Sequence, residues 1–307
     1  MSKKIVVIGS YIEALVMDTQ RIPLKGETLK GTNFRQTWGG KGSNQAVQAA
    51  RLGAQTSFVS MVGTDPFADN IFSLLEAEGV DSNYLFQTNE FPTACGFIIC
   101  SADGHNVITI DISALNSLSE ENIDRAMALV DNETIVLLQL EIPLQMALYA
   151  ARKSKEKGAL VILNPAPAAN LMAHDLSFVD YLTPNETEAR ICTGLDVTDK
   201  SSETDIAKQL LRTGCKNIVV TLGESGSLLV NATMIFQAQP YCLEKAVDST
   251  GAGDAFNAGL AVGLAESMFV EKAMQFANAV GALACTKPDT IPSYHTRAEV
   301  ETFMLKY

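Results

Sequence analysis

Apolar and polar positions along this chain repeat with two different periods. Short apolar runs bounded by turn residues are typical of buried strands, and longer segments with apolar residues three or four positions apart are typical of helices. Strands are predicted near 5–9, 56–61, 134–139, 159–163, 179–182, 217–222, 226–230 and 234–237. Helices are predicted at 45–52, 67–78, 119–130, 143–157, 185–193, 202–213, 252–266, 269–286 and 296–305. Their alternation after residue 119 predicts an α/β fold with a doubly wound, mostly parallel sheet flanked by helices on both faces.

Two early segments depart from this alternation. Residues 11–37 mix β-prone and turn residues, which predicts short exposed strands. Residues 93–101 and 106–112 alternate weakly around a turn at Asp103 and Gly104, which predicts a hairpin in the same exposed sheet. The chain shows no repeat, low-complexity tract or linker. We therefore expect one domain over residues 1–307, with a small β-sheet lid drawn from about 11–37 and 93–112.

Composition narrows the class of protein. A net charge of −12 without a cluster of Lys or Arg argues against nucleic acid and against anionic membrane surfaces as partners. The 6 cysteines are scattered with no C-x-x-C pair, and with only 3 histidines a zinc site is not expected. The apolar run near the N-terminus is too short for a signal peptide or a membrane span. These features favour a cytoplasmic enzyme with reduced thiols.

The segment from Asp248 to Asp254 carries the clearest candidate chemistry. Gly251, Ala252 and Gly253 can present backbone N–H groups at the start of a predicted helix, where the helix dipole also favours an anion such as phosphate. Asp254 would then lie where a carboxylate can take a proton from a hydroxyl. A glycine-rich turn at a helix start is an equally good explanation of the segment alone. Its spacing matches neither a dinucleotide-binding motif nor a P-loop.

Three further segments each have a functional and a structural interpretation. In residues 39–44, Gly-Gly-Lys-Gly-Ser-Asn, Lys41 and Asn44 could donate to a ligand, or the segment could be a flexible turn before a helix. In residues 183–188, Asn185 could cap a helix, or Asn185 and Glu188 could lie near phosphates and Mg²⁺, through water. Residues 221–226 could border a ligand or form a plain β-turn.

Together, in this order, the four segments resemble the ribokinase-type sugar kinases of the PfkB family. The resemblance covers nearly the whole chain. It extends to Gly9-Ser10, Gln45-Ala46, Ala50-Arg51-Leu52-Gly53, Gln139-Leu140-Glu141 and Asn164-Pro165-Ala166-Pro167.

The resemblance implies a role for particular residues. Asp254 would be the general base, and the anion hole for the γ-phosphate would be formed by Gly251, Ala252 and Gly253. The sugar site would be lined by Gly40, Lys41, Asn44, Glu141 and Asp254. ATP and its Mg²⁺ would be bordered by Asn185, Glu188, Thr221, Gly223, Ser225, Gly226, Gly253 and Asn278. A monovalent cation, K⁺ by similarity, would be held by Asp248, Thr250, Ala284, Lys287, Asp289 and Ser293. The resemblance also implies a homodimer formed through the lid.

The chain departs from the family pattern in three places. Ile12 and Ala14 stand where the family has a polar residue, commonly Asn, and a sugar-gripping Asp, while Glu13 is one position off and would point to the opposite face of a strand. Asp289 stands where the family usually has glycine, so that it could strengthen cation binding or distort the loop. Residues 113–116, Ser-Ala-Leu-Asn, replace the usual Gly-Ala-Asn.

These observations predict an ATP-dependent kinase for a small sugar or related polyol. Loss of the Asp that grips sugar hydroxyls disfavours ribose as the substrate, because charge-assisted hydrogen bonds are the strong ones. A more apolar site edge leaves open a nucleoside or deoxysugar kinase. A non-catalytic sugar- or nucleotide-binding protein is the alternative from another class.

Overall fold

The computed structural model describes residues 4–103 and 105–306, and thirteen strands in these ranges form two sheets. The strands are β1 (Lys4–Ile8), β2 (Ile12–Thr19), β3 (Thr32–Gly39), β4 (Thr56–Val62), β5 (Asp81–Gln87), β6 (Cys95–Ser101), β7 (Asn106–Asp111), β8 (Thr134–Gln139), β9 (Leu160–Asn164), β10 (Tyr181–Leu182), β11 (Asn217–Thr221), β12 (Ser227–Asn231) and β13 (Ile235–Ala238). The helices are α1 (Lys41–Arg51), α2 (Pro66–Ala77), α3 (Glu120–Ala126), α4 (Leu144–Glu156), α5 (Glu186–Thr193), α6 (Glu203–Leu210), α7 (Ala252–Ala265), α8 (Val270–Ala284) and α9 (Arg297–Met304).

The large sheet has the order β13-β12-β11-β10-β9-β8-β1-β4-β5. Neighbouring strands within this sheet run parallel, except that β12 is antiparallel to both β11 and β13. The central strands β1 and β8 are buried on both faces, which is why they are continuous apolar runs. Val6 and Leu138 pack toward α3–α6, whereas Val7 and Leu137 pack toward α1, α2 and α7–α9. The predicted fold class is confirmed.

The small sheet has the order β3-β2-β6-β7, with β2 and β6 parallel and the two outer pairs antiparallel. The predicted hairpin is present as β6 and β7, although Gly104 of its turn lies outside the described residues. The prediction of exposed strands in 11–37 was wrong for the first part of β2, where Ile12, Glu13, Ala14 and Val16 are buried. The one-domain organisation of residues 1–307 stays a prediction.

Two elements differ from the sequence-based expectation. Helix α1 begins at Lys41, four residues earlier than predicted, because the glycine-rich segment is anchored by Ser43, whose N–H donates to the Ser10 carbonyl at 2.9 Å. Strand β5 was not predicted, since it is an edge strand without an alternating pattern and pairs with β4 through an irregular register. Among the described residues, the helices are too short or too polar to cross a membrane.

Candidate active site

The carboxyl ends of the parallel strands and the N-terminal ends of two helices meet at one edge of the large sheet. Ligands bind at this edge in open α/β folds because the loops and helix N-termini converge there. The residues that follow or end these strands are Ser10, Gln139, Glu141, Asn164, Asn185 and Thr221. Helices α1 and α7 bring the segments 39–44 and 251–254 to the same edge.

Asp254 lies in the first turn of α7 and is 5% exposed. The side chain of Asn44 donates from Nδ2 to Asp254 Oδ2 at 2.9 Å. Gln45 donates from Nε2 to Asp254 Oδ1 at 3.0 Å. Two of the motifs singled out in the sequence are therefore joined through one carboxylate. Asn44 Oδ1 is buried and has no hydrogen-bond partner within the described structure.

Lys41, at the start of α1, supplies positive charge to this site. Glu141 Oε2 accepts from the Lys41 backbone N–H at 2.7 Å and from Ser10 Oγ at 2.5 Å. Burial would lower the pKa of Lys41, but the carboxylates of Asp254, Glu141 and Glu188 outweigh it and the pKa is raised. Burial raises the pKa of Glu141, against the opposing effects of Lys41 and Ser10. A cation therefore faces several carboxylates at the predicted sugar site.

The start of α7 has the geometry of an anion site. Gly251 has a φ of 79°, and a Cβ there would lie 2.8 Å from Tyr294 Oη, which donates to the Gly251 carbonyl at 3.1 Å. The Ala252 N–H donates to the Ser249 carbonyl at 3.2 Å, so helix geometry leaves the N–H groups of Gly253 and Asp254 to face outward. A Cβ at Gly253 would meet no atom within 4 Å, which shows open space beside these donors.

The residues predicted to border the nucleotide lie on neighbouring segments at the carboxyl ends of β10 and β11. Thr221 ends β11, and Gly223, Ser225 and Gly226 form the turn into β12. A short parallel bridge joins the backbone of Asn185 to that of Thr221, so the two segments are neighbours.

Asn185 caps α5, as the structural interpretation of that motif predicted. Its Oδ1 accepts from the Glu188 N–H at 2.8 Å, and Glu188 Oε2 accepts from the Asn185 N–H at 2.8 Å. Burial raises the pKa of Glu188, while the Asn185 N–H and Lys41 lower it. The side-chain oxygen of Asn185 and one carboxylate oxygen of Glu188 are therefore already used in the helix cap. This arrangement fits Mg²⁺ that is bound through water molecules better than Mg²⁺ that is coordinated directly by both side chains.

Asn278, in α8, is bound to the main chain after β13. Its Nδ2 donates to the carbonyls of Ala238 at 3.3 Å and Gln239 at 3.0 Å. It therefore fixes the course of that segment.

The residues predicted to hold a monovalent cation lie on two adjoining loops. Asp248 Oδ1 accepts from the Thr250 N–H at 2.9 Å and hydroxyl at 2.6 Å, and its Oδ2 accepts from the Asp289 N–H at 3.1 Å. Ala284 ends α8, and Lys287 and Ser293 lie on the second loop. The described residues contain no cluster of three or more His, Cys, Asp or Glu side chains able to hold a metal. Main-chain carbonyls would have to supply most ligands, a donor type that suits a hard cation.

Two residues that stand where the resembled family has glycine adopt an unusual backbone conformation. Asp289 has a φ of 66° and Ser113 a φ of 33°, in the region that favours glycine. The chain therefore keeps a glycine-like backbone at Asp289 while carrying a carboxylate, which lies 3.5 Å from Arg35 of β3. This pairing balances the extra negative charge.

The altered site edge on β2 is apolar. Ile12 and Ala14 are 5% and 7% exposed, and Leu115 is fully buried. Glu13 points to the opposite face, where Oε1 accepts from Asn70 Nδ2 at 3.0 Å and Oε2 accepts from the Tyr11 hydroxyl. The register of β2 is regular from Ile12 to Val16, so no bulge redirects Glu13 toward the site.

Sequence reasoning gave no role to several buried polar residues around Asp254. They are Gln45, Gln139, Asn164, Thr183 and Asn257. Their signal in the sequence was a polar residue inside or at the end of an otherwise apolar run. That signal does not show which side chain each one meets.

Comparisons with known proteins agree with this site. A family model described as pfkB family carbohydrate kinase matches residues 2–297. A ribokinase of Haemophilus influenzae is 35% identical over 304 residues, which is 99% of each chain. A deoxyribokinase of Salmonella typhi is 37% identical over 293 residues, 94% of this chain and 95% of that one. The structure of Arabidopsis thaliana ribokinase complexed with ribose and ATP matches with a TM-score of 0.87 at 30% identity, over 100% of both chains.

The fold and the site define a sugar kinase, an enzyme that phosphorylates a sugar hydroxyl at the expense of ATP. The chain belongs to the pfkB family of carbohydrate kinases and is ribokinase-like.

Proposed function

We propose that this kinase phosphorylates a hydroxyl of a small sugar or related polyol, with Asp254 as general base and the segment Gly251, Ala252 and Gly253 as the anion hole. Within this segment the Ala252 N–H already donates to the Ser249 carbonyl, so the other N–H groups of the turn would bind the anion. The observation that carries the proposal is the buried Asp254 carboxylate, held at both oxygens by amides in the first turn of α7. In the same turn a Cβ at Gly253 would meet no atom within 4 Å, so there is open space beside the start of α7. A base and an anion site are thus adjacent.

The reaction follows from this arrangement. The substrate hydroxyl donates to Asp254, which takes the proton as the new oxygen–phosphorus bond forms and the bond to the leaving ADP breaks. The outward N–H groups of α7 stabilise charge on the transferred phosphoryl group. The sugar is oriented by Gly40, Lys41, Asn44 and Glu141. Mg²⁺, when bound near Asn185 and Glu188 through water, supplies further charge neutralisation at the phosphates.

The monovalent-cation site is part of the proposal, with K⁺ as the cation. Asp248 joins the loop before α7 to the loop after α8, so a cation there would act on the start of α7. Thr250, Ala284, Lys287, Asp289 and Ser293 would complete the site.

The substrate is proposed to be a sugar other than ribose. The apolar edge at Ile12 and Ala14 lacks the acceptors that would bind two hydroxyls. A deoxysugar or a nucleoside is the alternative substrate within the family, and the similarity to a deoxyribokinase supports the deoxysugar as an alternative.

A screen of sugars, deoxysugars, sugar acids and nucleosides for substrate-dependent ADP release separates these substrates. Release with any of them rules out a non-catalytic binding protein.

The chemistry is tested by Asp254→Asn. We expect turnover to fall by at least about 10³-fold while ATP binding, measured by calorimetry, stays within about twofold. Near-normal turnover in this variant would show that another group takes the proton.

We further propose that two copies associate through the small sheet. Met17 and Val107 both pair with Ile99, and Phe97 lies two positions from Ile99 on the same strand. Met17, Phe97 and Val107 therefore lie on one face of the small sheet. Their side chains are 39%, 59% and 45% exposed. Phe34 is also 60% exposed. Exposed apolar surface on a soluble protein commonly marks an interface, and a symmetric dimer would cover it on both copies.

A further inference from the structure

A row of buried amide side chains lies behind Asp254 and takes no part in the reaction proposed above. Gln45 of α1 and Gln139 at the end of β8 are fully buried, and Asn164 at the end of β9 is 6% exposed. They come from three different elements that converge on one carboxylate. Burying three amides is unfavourable unless each is hydrogen-bonded, so their arrangement calls for a specific account.

The hydrogen bonds of the row determine which end of Gln45 faces Asp254. Gln139 donates from Nε2 to Gln45 Oε1 at 2.6 Å, so this oxygen is held on the side away from the carboxylate. Gln45 Nε2 then has two acceptors for its two hydrogens, Asp254 Oδ1 at 3.0 Å and Asn164 Oδ1 at 3.4 Å. Asn164 is itself fixed, because its Nδ2 donates to the Thr183 carbonyl at 3.1 Å.

The backbone leaves space for this row. A Cβ at Gly9 would lie 1.9 Å from Gln139 Oε1, so only a glycine at the end of β1 admits the observed Gln139 side chain. The row therefore runs from Gly9 through Gln139 and Gln45 to Asp254.

We propose that Gln45 is a positioning residue for Asp254, and that Gln139 holds Gln45 in the orientation that donates. The proposal rests on the role of Asp254 as the base. Gln45 donates to Oδ1 and Asn44 to Oδ2, so the orientation of the carboxylate plane is fixed. The row keeps the Asp254 carboxylate aimed at the bound hydroxyl.

Other titratable groups also lie close enough to interact with Asp254, so the test must separate their effect. Lys41 from α1, Glu141 after β8, Glu188 from α5 and Tyr294 from the loop before α9 interact electrostatically with it. None of them is changed by substituting Gln45 or Gln139.

The experiment compares Gln45→Leu and Gln139→Leu with the matched control Gln48→Leu. Gln48 is on the same helix and equally buried, but it donates to the His295 carbonyl at 3.0 Å. The readouts are kcat, KM for the sugar and the dissociation constant of ATP, and each is measured also in the Asp254→Asn background.

Loss of the Gln45 donor should lower kcat by about 10- to 100-fold, while KM for the sugar and the dissociation constant of ATP stay within about threefold. Gln139→Leu should lower kcat in the same way but by less, since Gln45 Nε2 remains. Gln48→Leu should change folding stability but leave kcat nearly unchanged. In the Asp254→Asn background, Gln45→Leu should lower the residual kcat no further, because the carboxylate that Gln45 positions is gone.

An unchanged kcat in folded Gln45→Leu overturns the proposal, as does an equal loss of kcat in Gln48→Leu. If Gln45→Leu does not fold, Gln139→Leu decides by the same criteria. Near-normal turnover in Asp254→Asn would overturn the proposed base instead, so the two failures are distinguishable.

Discussion

Arg35 of β3 and Asp289 of the loop after α8 form an ion pair with 3.5 Å between guanidinium nitrogen and carboxylate oxygen. The pair joins the small sheet to the loop proposed to hold the cation. A second contact runs alongside it, because the Thr290 hydroxyl donates to the Trp38 carbonyl at 3.1 Å. Movement of the small sheet and of this loop should therefore be coupled.

The backbone at Asp289 should carry measurable strain. Its φ of 66° disfavours a residue with a Cβ, so Asp289→Gly should be more stable than Asp289→Ala by about 1 kcal/mol in urea denaturation. Both variants lose the ion pair with Arg35, so the difference between their free energies of unfolding reports the backbone effect alone.

The control is exposed Lys208 within α6. There Lys208→Ala should be more stable than Lys208→Gly, because glycine is unfavourable inside a helix. Ala more stable than Gly at position 289 would contradict the prediction.

Gly42→Ala should disrupt the site. A Cβ there would lie 2.5 Å from Ser10 N and 2.7 Å from the Gly9 carbonyl carbon, so the start of α1 must move and carry Lys41 and Asn44 with it. We expect kcat/KM for the sugar to fall by about 100-fold or more. Gly53→Ala is the control at the other end of the helix, where a Cβ meets nothing within 4 Å. It should cost about 1 kcal/mol of stability and leave kcat/KM nearly unchanged.

Glu13 should make folding stability depend on pH. Burial raises its pKa above the ordinary 4.5, the nearby Asp65 adds to the rise, and hydrogen bonds from Tyr11 and Asn70 oppose it. The folded state therefore binds the proton more tightly than the unfolded state, and stability present below pH 4.5 is lost as the pH rises through the raised value.

Glu13→Gln should remove this loss, which denaturation midpoints measured between pH 4.5 and 8 would show. Glu90→Gln, at an exposed position, should keep the pH dependence of the parent protein. If Glu13→Gln also keeps it, another group is responsible.

Restoring polar residues on β2 should change substrate preference. Ala14→Asp with Ile12→Asn would return the acceptors that this site edge lacks, so kcat/KM for ribose relative to deoxyribose should rise by about 10- to 100-fold. Gln20→Asp, just beyond β2, adds the same charge away from the site and should leave the ratio unchanged. An unchanged ratio in the double variant would mean that this edge does not contact the sugar.

Phe97→Glu should weaken association through the small sheet. A charge on a desolvated apolar face is unfavourable, so we expect the variant to be a monomer in light scattering under conditions in which the parent protein is expected to be a dimer. Phe269→Glu is the control, since Phe269 is 83% exposed and lies between α7 and α8. A dimer that persists in Phe97→Glu would place the interface elsewhere.

The sequence alone determined the order and type of most elements and the segments that carry chemistry. Strands such as β8 and helices such as α4 were predicted within a residue or two, because the period of apolar positions is a local property. The edge strand β5 was missed because it lacks that period. Gly251 and Asp254 stood out because their residue types and spacing suit an anion and a proton transfer.

Only the tertiary structure decided which side chains meet. Asn44 and Gln45 reach Asp254 across 210 and 209 residues of sequence, and Gln139 reaches Gln45 across 94. These contacts depend on the order in which strands join the sheet, and a local pattern carries no information about that order. The same holds for Glu13 turning toward Asn70 and for Arg35 balancing Asp289, since in both cases the partner lies on a distant segment.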